Sequence, residues 1–171
     1  VDDLLSKMTL KQKVGQVIQG DTGSLTAEDV KTYRLGSILS GGNSAPGDKP
    51  YAATQAWLDS ADSYYEASID PEGVEVAIPI IWGIDAVHGH TNLIGGVVFP
   101  HNIGLGAAND PDLIHRISEI TAQELNVSGH DWTFAPTLAV PQNDSWGRAY
   151  EGFSEDPAIV KSYGGEIVTG L

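Results

Sequence analysis

The chain has 171 residues, of which 41% are hydrophobic, 9 are Lys or Arg and 23 are Asp or Glu, giving a formal net charge of −14. The apolar content argues against a disordered chain, and the negative charge disfavours nucleic acid and anionic membrane surfaces, which are bound through basic residues. Because the sequence has no cysteine, disulfides, thiolate metal sites and a thiol nucleophile are excluded.

The first half of the sequence carries short helix and strand signals in turn. Thr9 and Gln12 have the spacing of a capping box and predict a short helix in "MTLKQKVGQVIQGD". A second helix is predicted in "LTAEDVKTYRLG", with Thr26 as its N-cap and Gly36 as its stop. Next, "GSILSGG" predicts a short strand that leads into the loop "GGNSAPGDKP", and the following "YAATQAWLDSADSYYEASI" predicts a helix.

The middle of the chain contains the clearest strand. "VAIPIIWGI" is a continuous apolar run, which is typical of a strand buried on both faces of a parallel sheet. Pro79 lies early in this run and lacks an N–H group, so regular pairing is expected to begin after it.

A long helix is predicted after residue 110, with Asp110 as N-cap, Pro111 at its first position and Gly129 as its stop. Four apolar residues lie near one stripe of that helix. They are Leu113, Ile117, Ile120 and Leu125. "DWTFAPTLAV" predicts a further strand, and "SEDPAIVKSYGGEIVTGL" a helix capped by Ser154 or Asp156.

The alternation of strands and helices predicts a parallel α/β fold with right-handed crossovers. We count about four strand–helix units, whereas a (β/α)8 barrel takes about 250 residues. The sequence therefore predicts roughly the first half of a TIM-type barrel, and the chain is expected to be an N-terminal piece of a longer protein. Such a piece is expected to fold poorly and to be inactive alone, because an open barrel leaves strand edges uncovered.

Ligands of parallel α/β folds bind at the carboxyl ends of strands, and two such exits are rich in polar groups. In "GIDAVHGH" an apolar strand ends in Asp85, His88 and His90, which could form a metal site, a sugar site or a turn. The loop after the last predicted strand contains "WGRAYEGFSED". Its side chains of interest are Trp146, Arg148, Tyr150, Glu151, Glu155 and Asp156.

Four blocks in this order, "GIDAVHGH", "FPHNIGLGAANDPDL", "FAPTLAV" and "WGRAYEGFSEDP", resemble glycoside hydrolase family 3. The similarity is greatest to its β-glucosidase and exo-β-glucan glucohydrolase branch and covers nearly the whole chain. The resemblance implies a barrel domain, of which residues 1–171 are the N-terminal part, followed by an α/β sandwich domain. It also implies retaining hydrolysis that releases glucose from the non-reducing ends of β-linked substrates.

The resemblance implies sugar-binding roles for two residues. Asp85 matches the acid that binds glucose hydroxyls on the non-reducing side of the scissile bond, and Arg148 matches the arginine of the WGR motif, which binds the same sugar. The chemistry is suitable, because a carboxylate accepts from vicinal hydroxyls and a guanidinium offers a fork of donors. The alternative is that Asp85 and Arg148 only pair with each other or cap a helix.

The remaining polar residues of the two exits carry weaker expectations. His88 and His90 are expected to hydrogen-bond to neighbouring loops and shape the turn at Gly89, with His88 a weaker candidate for sugar contact. Trp146 could stack on a sugar but is expected to pack the loop, and Glu151 could buttress Arg148. The acids of "SEDP" are interpreted as helix N-terminal residues. They are Glu155 and Asp156.

No catalytic residue is expected within this chain. Retaining glycosidases need a nucleophile and an acid/base about 5–5.5 Å apart. In the resembled family the nucleophilic Asp comes from a later strand, the acid/base from the second domain, and a sugar-binding Lys-His pair from beyond Leu171. No metal or other cofactor is expected, and the expected partners are a β-linked glucose oligosaccharide or glucoside and the rest of the polypeptide. A secreted or periplasmic location is favoured.

Two other functions stay open at this point. One is a sugar-binding pseudoenzyme that keeps Asp85 and Arg148 without catalysis. The other is a metal-dependent barrel hydrolase that uses His88 and His90, although that chemistry would need further His and Asp ligands on later strands.

Overall fold

The computed structural model describes residues 1–42 and 44–171, so Asn43, in the predicted loop at 41–50, lies outside the described residues. The strands are β1 (Gln19–Asp21), β2 (Ser37–Ser40), β3 (Ile81–Ile84) and β4 (Trp132–Thr133). The α-helices are α1 (Asp2–Lys7), α2 (Leu10–Gln16), α3 (Ala27–Tyr33), α4 (Thr54–Ile69), α5 (Asn102–Ala108), α6 (Pro111–Val127) and α7 (Pro157–Gly170). Two short 3₁₀ turns span Pro46–Asp48 and Ala149–Glu151. Of the helices in the described part, none combines the length and apolar character that crossing a bilayer requires.

The four strands form one sheet in the order β1-β2-β3-β4. β1 runs parallel to β2, with Gln19 opposite Ser37, and β2 runs parallel to β3, with Ser37 opposite Ile81. Helices connect successive strands, as parallel pairing requires. The predicted fold class, an α/β fold with roughly the first half of a TIM-type barrel, is confirmed.

One compact unit contains residues 1–84 and 127–132. The predicted capping box of α2 is confirmed, because the Thr9 hydroxyl accepts from the Gln12 backbone and the Gln12 side chain accepts from Thr9. Thr26 caps α3 in the same way. The core of this unit contains an aromatic cluster among aliphatic residues. Trp57 stacks on Trp82 with ring centroids 5.8 Å apart, and the His130 imidazole lies 4.5 Å from Trp82.

The second compact unit contains residues 85–126 and 133–171. Its core consists of buried residues from α5, α6, α7 and the segment before α7. They are Leu105, Ile114, Phe153, Val160, Tyr163 and Ile167. The Tyr163 hydroxyl donates to the Leu105 carbonyl and accepts from the Asp110 N–H, each at 2.9 Å, so it links α7 to the middle of α5 and to the residue before α6.

Helix ends were predicted with mixed success. The Asp110 carboxylate accepts from the Leu113 N–H at 3.0 Å, and Asp156 caps α7 by accepting from Ala158. The prediction of Gly36 as the stop of α3 is wrong, since the helix ends at Tyr33 and its C-cap, Arg34, has a left-handed φ of 54°. Gly36 has another role, because a β-carbon there would collide with the Gln16 carbonyl.

The prediction of which α6 residues form the buried face is also wrong in part. Ile120 is 39% exposed, and the buried face includes two hydroxyl residues, Ser118 and Thr121. Each hydroxyl donates to the carbonyl four residues earlier, which satisfies it in the interior without an outside partner. Periodicity counted with apolar residues alone therefore misplaced the stripe.

Two strand predictions need correction. β3 begins after Pro79 as expected, but Ile81 is 51% exposed, so burial on both faces holds only for Trp82 to Ile84. In "DWTFAPTLAV" only Trp132 and Thr133 form a strand.

Candidate functional site

Asp85 directly follows β3 and is half-buried. The chain turns at once, because Ala86 has a left-handed φ of 39°. Such a conformation costs a non-glycine residue about 1–3 kcal/mol and is found at binding sites where surrounding contacts enforce it. One of those contacts is Thr133, whose hydroxyl donates to the Asp85 carbonyl at 2.5 Å and accepts from the Ala135 N–H at 3.1 Å.

The histidine turn is closed by backbone contacts. The His88 carbonyl accepts from the Phe99 N–H at 2.9 Å, and His88 Nδ1 lies 3.0 Å from the Phe99 carbonyl oxygen. Gly89 has a φ of 97°, and a β-carbon there would collide with the Val97 carbonyl. His90 is completely buried, and burial lowers the pKa of its imidazole to about 4. At neutral pH His90 is therefore uncharged. The contacts with Phe99 support the prediction that His88 shapes the turn.

Arg148 and Glu151 form a bidentate ion pair. Arg148 Nε donates to Glu151 Oε1 at 2.7 Å, and Nη2 donates to Oε2 at 2.6 Å. The pair lies around the 3₁₀ turn Ala149–Glu151, which brings residues three apart onto one side. The hydrogen bond from Arg148 holds the pKa of Glu151 below its usual value, and the bond to Glu151 raises the pKa of Arg148. Both groups are charged at neutral pH.

Asp85 and Arg148 do not pair with each other. Arg148 bonds to Glu151, and among the described residues none hydrogen-bonds to the Asp85 carboxylate. Asp85 is nevertheless close enough for its charge to add to the raised pKa of Arg148, after the larger effects of Glu151 and Tyr150. The unit that contains them thus holds a carboxylate acceptor near an oriented guanidinium.

Aromatic side chains and a further histidine lie beside this group. The His101 ring centroid is 4.6 Å from that of His88 and 4.9 Å from that of Tyr150. Tyr150 is 44% exposed and Trp146 is 41% exposed. An electrostatic interaction with His101 also lowers the pKa of Glu151, after the larger effect of Arg148. These exposed rings offer flat apolar surfaces of the kind on which a sugar face stacks.

The other acids of the second exit have structural contacts. Asp156 caps α7, and the Ser154 hydroxyl accepts from the Asp156 N–H at 3.0 Å. The Glu155 carbonyl accepts from Gln142 at 3.2 Å. The interpretation of "SEDP" as a helix start is confirmed for Asp156, whereas the contact of Glu155 is made by its backbone and does not test the role of its carboxylate. Within the described ranges there is no group of three or more His, Cys, Asp or Glu side chains that could hold a metal ion.

Three residues of this region were missed from the sequence. His101 has no role in the sequence analysis, yet its ring contacts those of His88 and Tyr150. Thr133 anchors the Asp85 backbone, and Asn102 donates to the Glu151 carbonyl at 2.8 Å. The sequence feature that could have identified them is "FPHN" before a glycine-rich stretch. The sequence analysis does not predict α5, so it gives no structural position for the polar residues at the start of that helix.

The relatives of this chain are glycosidases. A lysosomal β-glucosidase of Dictyostelium discoideum is 34% identical over 187 residues, which cover 100% of this chain and 22% of that protein. The crystal structure of an exo-1,3/1,4-β-glucanase from a Pseudoalteromonas species is similar with a TM-score of 0.94 and 52% identity. That match covers 99% of this chain and 21% of the glucanase.

A β-glucosidase from Listeria innocua, solved in complex with glucose, has a TM-score of 0.72 and 25% identity over 99% of this chain and 23% of its own. Other structures of that enzyme hold laminaribiose or isofagomine. The chain thus spans about a fifth of the length of these relatives. The model of the glycosyl hydrolase family 3 N-terminal domain matches residues 9–171, and the chain therefore belongs to glycosyl hydrolase family 3.

Proposed function

We propose that this chain forms part of the glucose-binding wall of a retaining, exo-acting β-glucosidase or β-glucan glucohydrolase. In this proposal the enzyme releases glucose from the non-reducing ends of β-linked oligosaccharides or glucosides. Residues 1–171 are then the N-terminal part of its barrel domain, and the nucleophile and acid/base are supplied by sequence outside these residues. The observation that carries the proposal is the Asp85 carboxylate, left without a protein partner among the described residues, near the oriented Arg148 guanidinium.

Asp85 and Arg148 have complementary chemistry for a sugar. The Asp85 carboxylate accepts hydrogen bonds from two vicinal hydroxyls of a glucose ring. Glu151 takes two of the five N–H donors of Arg148, which leaves three for sugar oxygens. A hydrogen bond to a charged group contributes roughly 1.5–3 kcal/mol when it is shielded from water.

Three neighbours have weaker roles in the proposal. Glu151 orients Arg148 and does not touch the sugar. Trp146, with 41% of its surface exposed, is available to a sugar face, and His88 is half-buried at the edge of the Asp85 turn. Similar proteins named β-glucosidase and exo-1,3/1,4-β-glucanase, and the glucose, laminaribiose and isofagomine complexes of the Listeria enzyme, support a β-glucoside as the ligand.

The test is hydrolysis of p-nitrophenyl β-glucoside by the full-length gene product, with variants compared by kcat/KM. Asp85→Ala and Arg148→Ala are each expected to lower kcat/KM at least about tenfold, since each removes a charged hydrogen-bonding group. Matched controls are Asp112→Ala and Arg116→Ala, which remove an exposed acid and an exposed arginine on α6. Circular dichroism establishes that each variant is folded.

The outcomes separate the parts of the proposal. Activity that survives in folded Asp85→Ala and Arg148→Ala would reject the two sugar-binding roles. A folded protein without activity on glucosides, xylosides or N-acetylglucosaminides, but with glucose binding by calorimetry, would indicate a sugar-binding pseudoenzyme. Activity that is lost on dialysis against a chelator and restored by zinc would favour the metal-dependent hydrolase instead.

A further inference from the structure

Helix α5 packs against the chain that follows the 3₁₀ turn Ala149–Glu151, which is called the Arg148 turn below. A β-carbon on Gly106 would collide with the carbonyl oxygen of Phe153, so the chain just after the turn lies directly on the α5 backbone. The middle of α5 is fixed by the Tyr163 hydroxyl, which donates to the Leu105 carbonyl. The turn therefore lies against a helix that is itself held by the core of its unit.

Asn102, the first residue of α5, makes the polar contact in this arrangement. Its Nδ2 donates to the backbone carbonyl of Glu151 at 2.8 Å, and the side chain of that same Glu151 holds Arg148 through two hydrogen bonds. These hydrogen bonds connect α5 to the Arg148 guanidinium through Glu151. A shift of the Glu151 backbone would move its carboxylate and, with it, Arg148.

The environment of Asn102 is unusual for an amide. The residue is 3% exposed and lines a small cavity, about 30 Å³, whose other walls include Leu105, Ile114 and Phe153. Burying an amide among apolar groups costs free energy unless it is hydrogen-bonded, and a leucine of similar volume would fill the position without that cost. The hydrogen bond to the Glu151 carbonyl offsets this cost and explains why position 102 has a polar side chain.

We propose that Asn102 is a positioning residue for sugar binding, which acts by fixing the Glu151 backbone and through it the direction of the Arg148 guanidinium. The inference rests on the proposed function of Arg148. Asn102 itself does not touch the sugar. Small displacements matter at such a site, because an error of about 1 Å in a binding group can cost on the order of 10²-fold in rate.

The test uses Asn102→Leu in the full-length gene product. We expect kcat/KM for p-nitrophenyl β-glucoside to fall about tenfold or more. Thr121→Val is the matched control, because Thr121 is 4% exposed and lines the same cavity. Among the residues that the structure describes, its hydroxyl bonds only to the Ile117 carbonyl of its own helix. This control should stay within about twofold of wild type even if its melting temperature falls.

A double variant distinguishes positioning from general damage. If Asn102 acts through Arg148, then Asn102→Leu should cause little further loss in an Arg148→Ala background, since the group it directs is already gone. Full additivity of the two losses, or an equal loss in Thr121→Val, would overturn the proposal.

A crystal structure of Asn102→Leu tests the inference independently of activity. The Arg148–Glu151 pair is expected to shift or to lose its bidentate geometry. An unchanged pair, with Arg148 Nη2 still 2.6 Å from Glu151 Oε2, would reject the positioning role. A displaced pair in a protein that neither hydrolyses nor binds any sugar would uphold the structural link while rejecting the proposed function.

Discussion

The ion pair of Arg148 and Glu151 orients a side chain more than it stabilises the fold. The Arg148 side chain is 69% exposed, and an ion pair this open to water contributes little to stability. Its two parallel hydrogen bonds, however, fix the plane of the guanidinium. In the proposed sugar-binding role, this holds the remaining donors of Arg148 in place before a ligand binds, which lowers the entropy cost of binding.

His90 gives a prediction at the scale of one residue. Burial lowers the pKa of its imidazole from 6.5 to about 4. The unfolded chain takes up a proton near pH 6.5 and the folded chain does so only near pH 4, so stability from this group is present above pH 6.5 and is lost as the pH falls through that window. A shift of this size corresponds to a loss on the order of 3 kcal/mol.

The measurement compares thermal melts of the full-length gene product and its His90→Gln variant between pH 7 and pH 4. The melting-temperature difference should be largest at pH 7 and should shrink toward pH 4. The control is His115→Gln, a change at a partly exposed histidine on α6. A difference curve of the same shape for His115→Gln, or a flat curve for His90→Gln, would contradict the assignment.

At the scale of helices and strands, the correct predictions from sequence are those that depend on neighbouring residues. The capping box of Thr9 and the N-caps Thr26, Asp110 and Asp156 depend on contacts within three residues, which the sequence contains in full. The order of strands and helices follows from the same local patterns and predicted the parallel sheet. The position of Asp85 at a strand exit was therefore predictable.

The features that were missed depend on distant contacts. Helix α5, "NIGLGAA", has two glycines and little intrinsic tendency to form a helix, so it is stabilised by what it packs against. The buried hydroxyls of α6 and the left-handed end of α3 at Arg34 also have no local signature. Arg34 adopts that conformation while donating to the carbonyls of Asp70 and Glu72, far along the chain.

Two glycines of α5 provide a matched test of this view. Gly106→Ala should destabilise the protein, because the new methyl group would collide with the Phe153 carbonyl. In Gly104→Ala the methyl group would lie 3.8 Å from Pro100, an ordinary contact, so this variant should be neutral or more stable by about 0.5–1 kcal/mol. Thermal melts of both variants check the prediction, and equal behaviour of the two would contradict it.

At the scale of the whole molecule, the sheet leaves two strands with one neighbour each. In the described part of the chain β1 and β4 stand at the ends of the four-stranded order, whereas a closed barrel has no edges. Apolar side chains near β1 are also open to water. Val14, Val17 and Ile18 are 49%, 85% and 44% exposed. Such surfaces and edges favour association with other chains.

We therefore expect residues 1–171, expressed without further sequence, to bind the apolar dye ANS and to self-associate. The net charge of −14 opposes this association through repulsion, and salt screens that repulsion. The association measured by sedimentation velocity should consequently increase between about 10 mM and 500 mM NaCl, where the screening length falls several-fold. The full-length gene product at equal concentration is the control. A monomer that binds no ANS at either salt concentration would mean that the strands and helices described above form a self-sufficient domain.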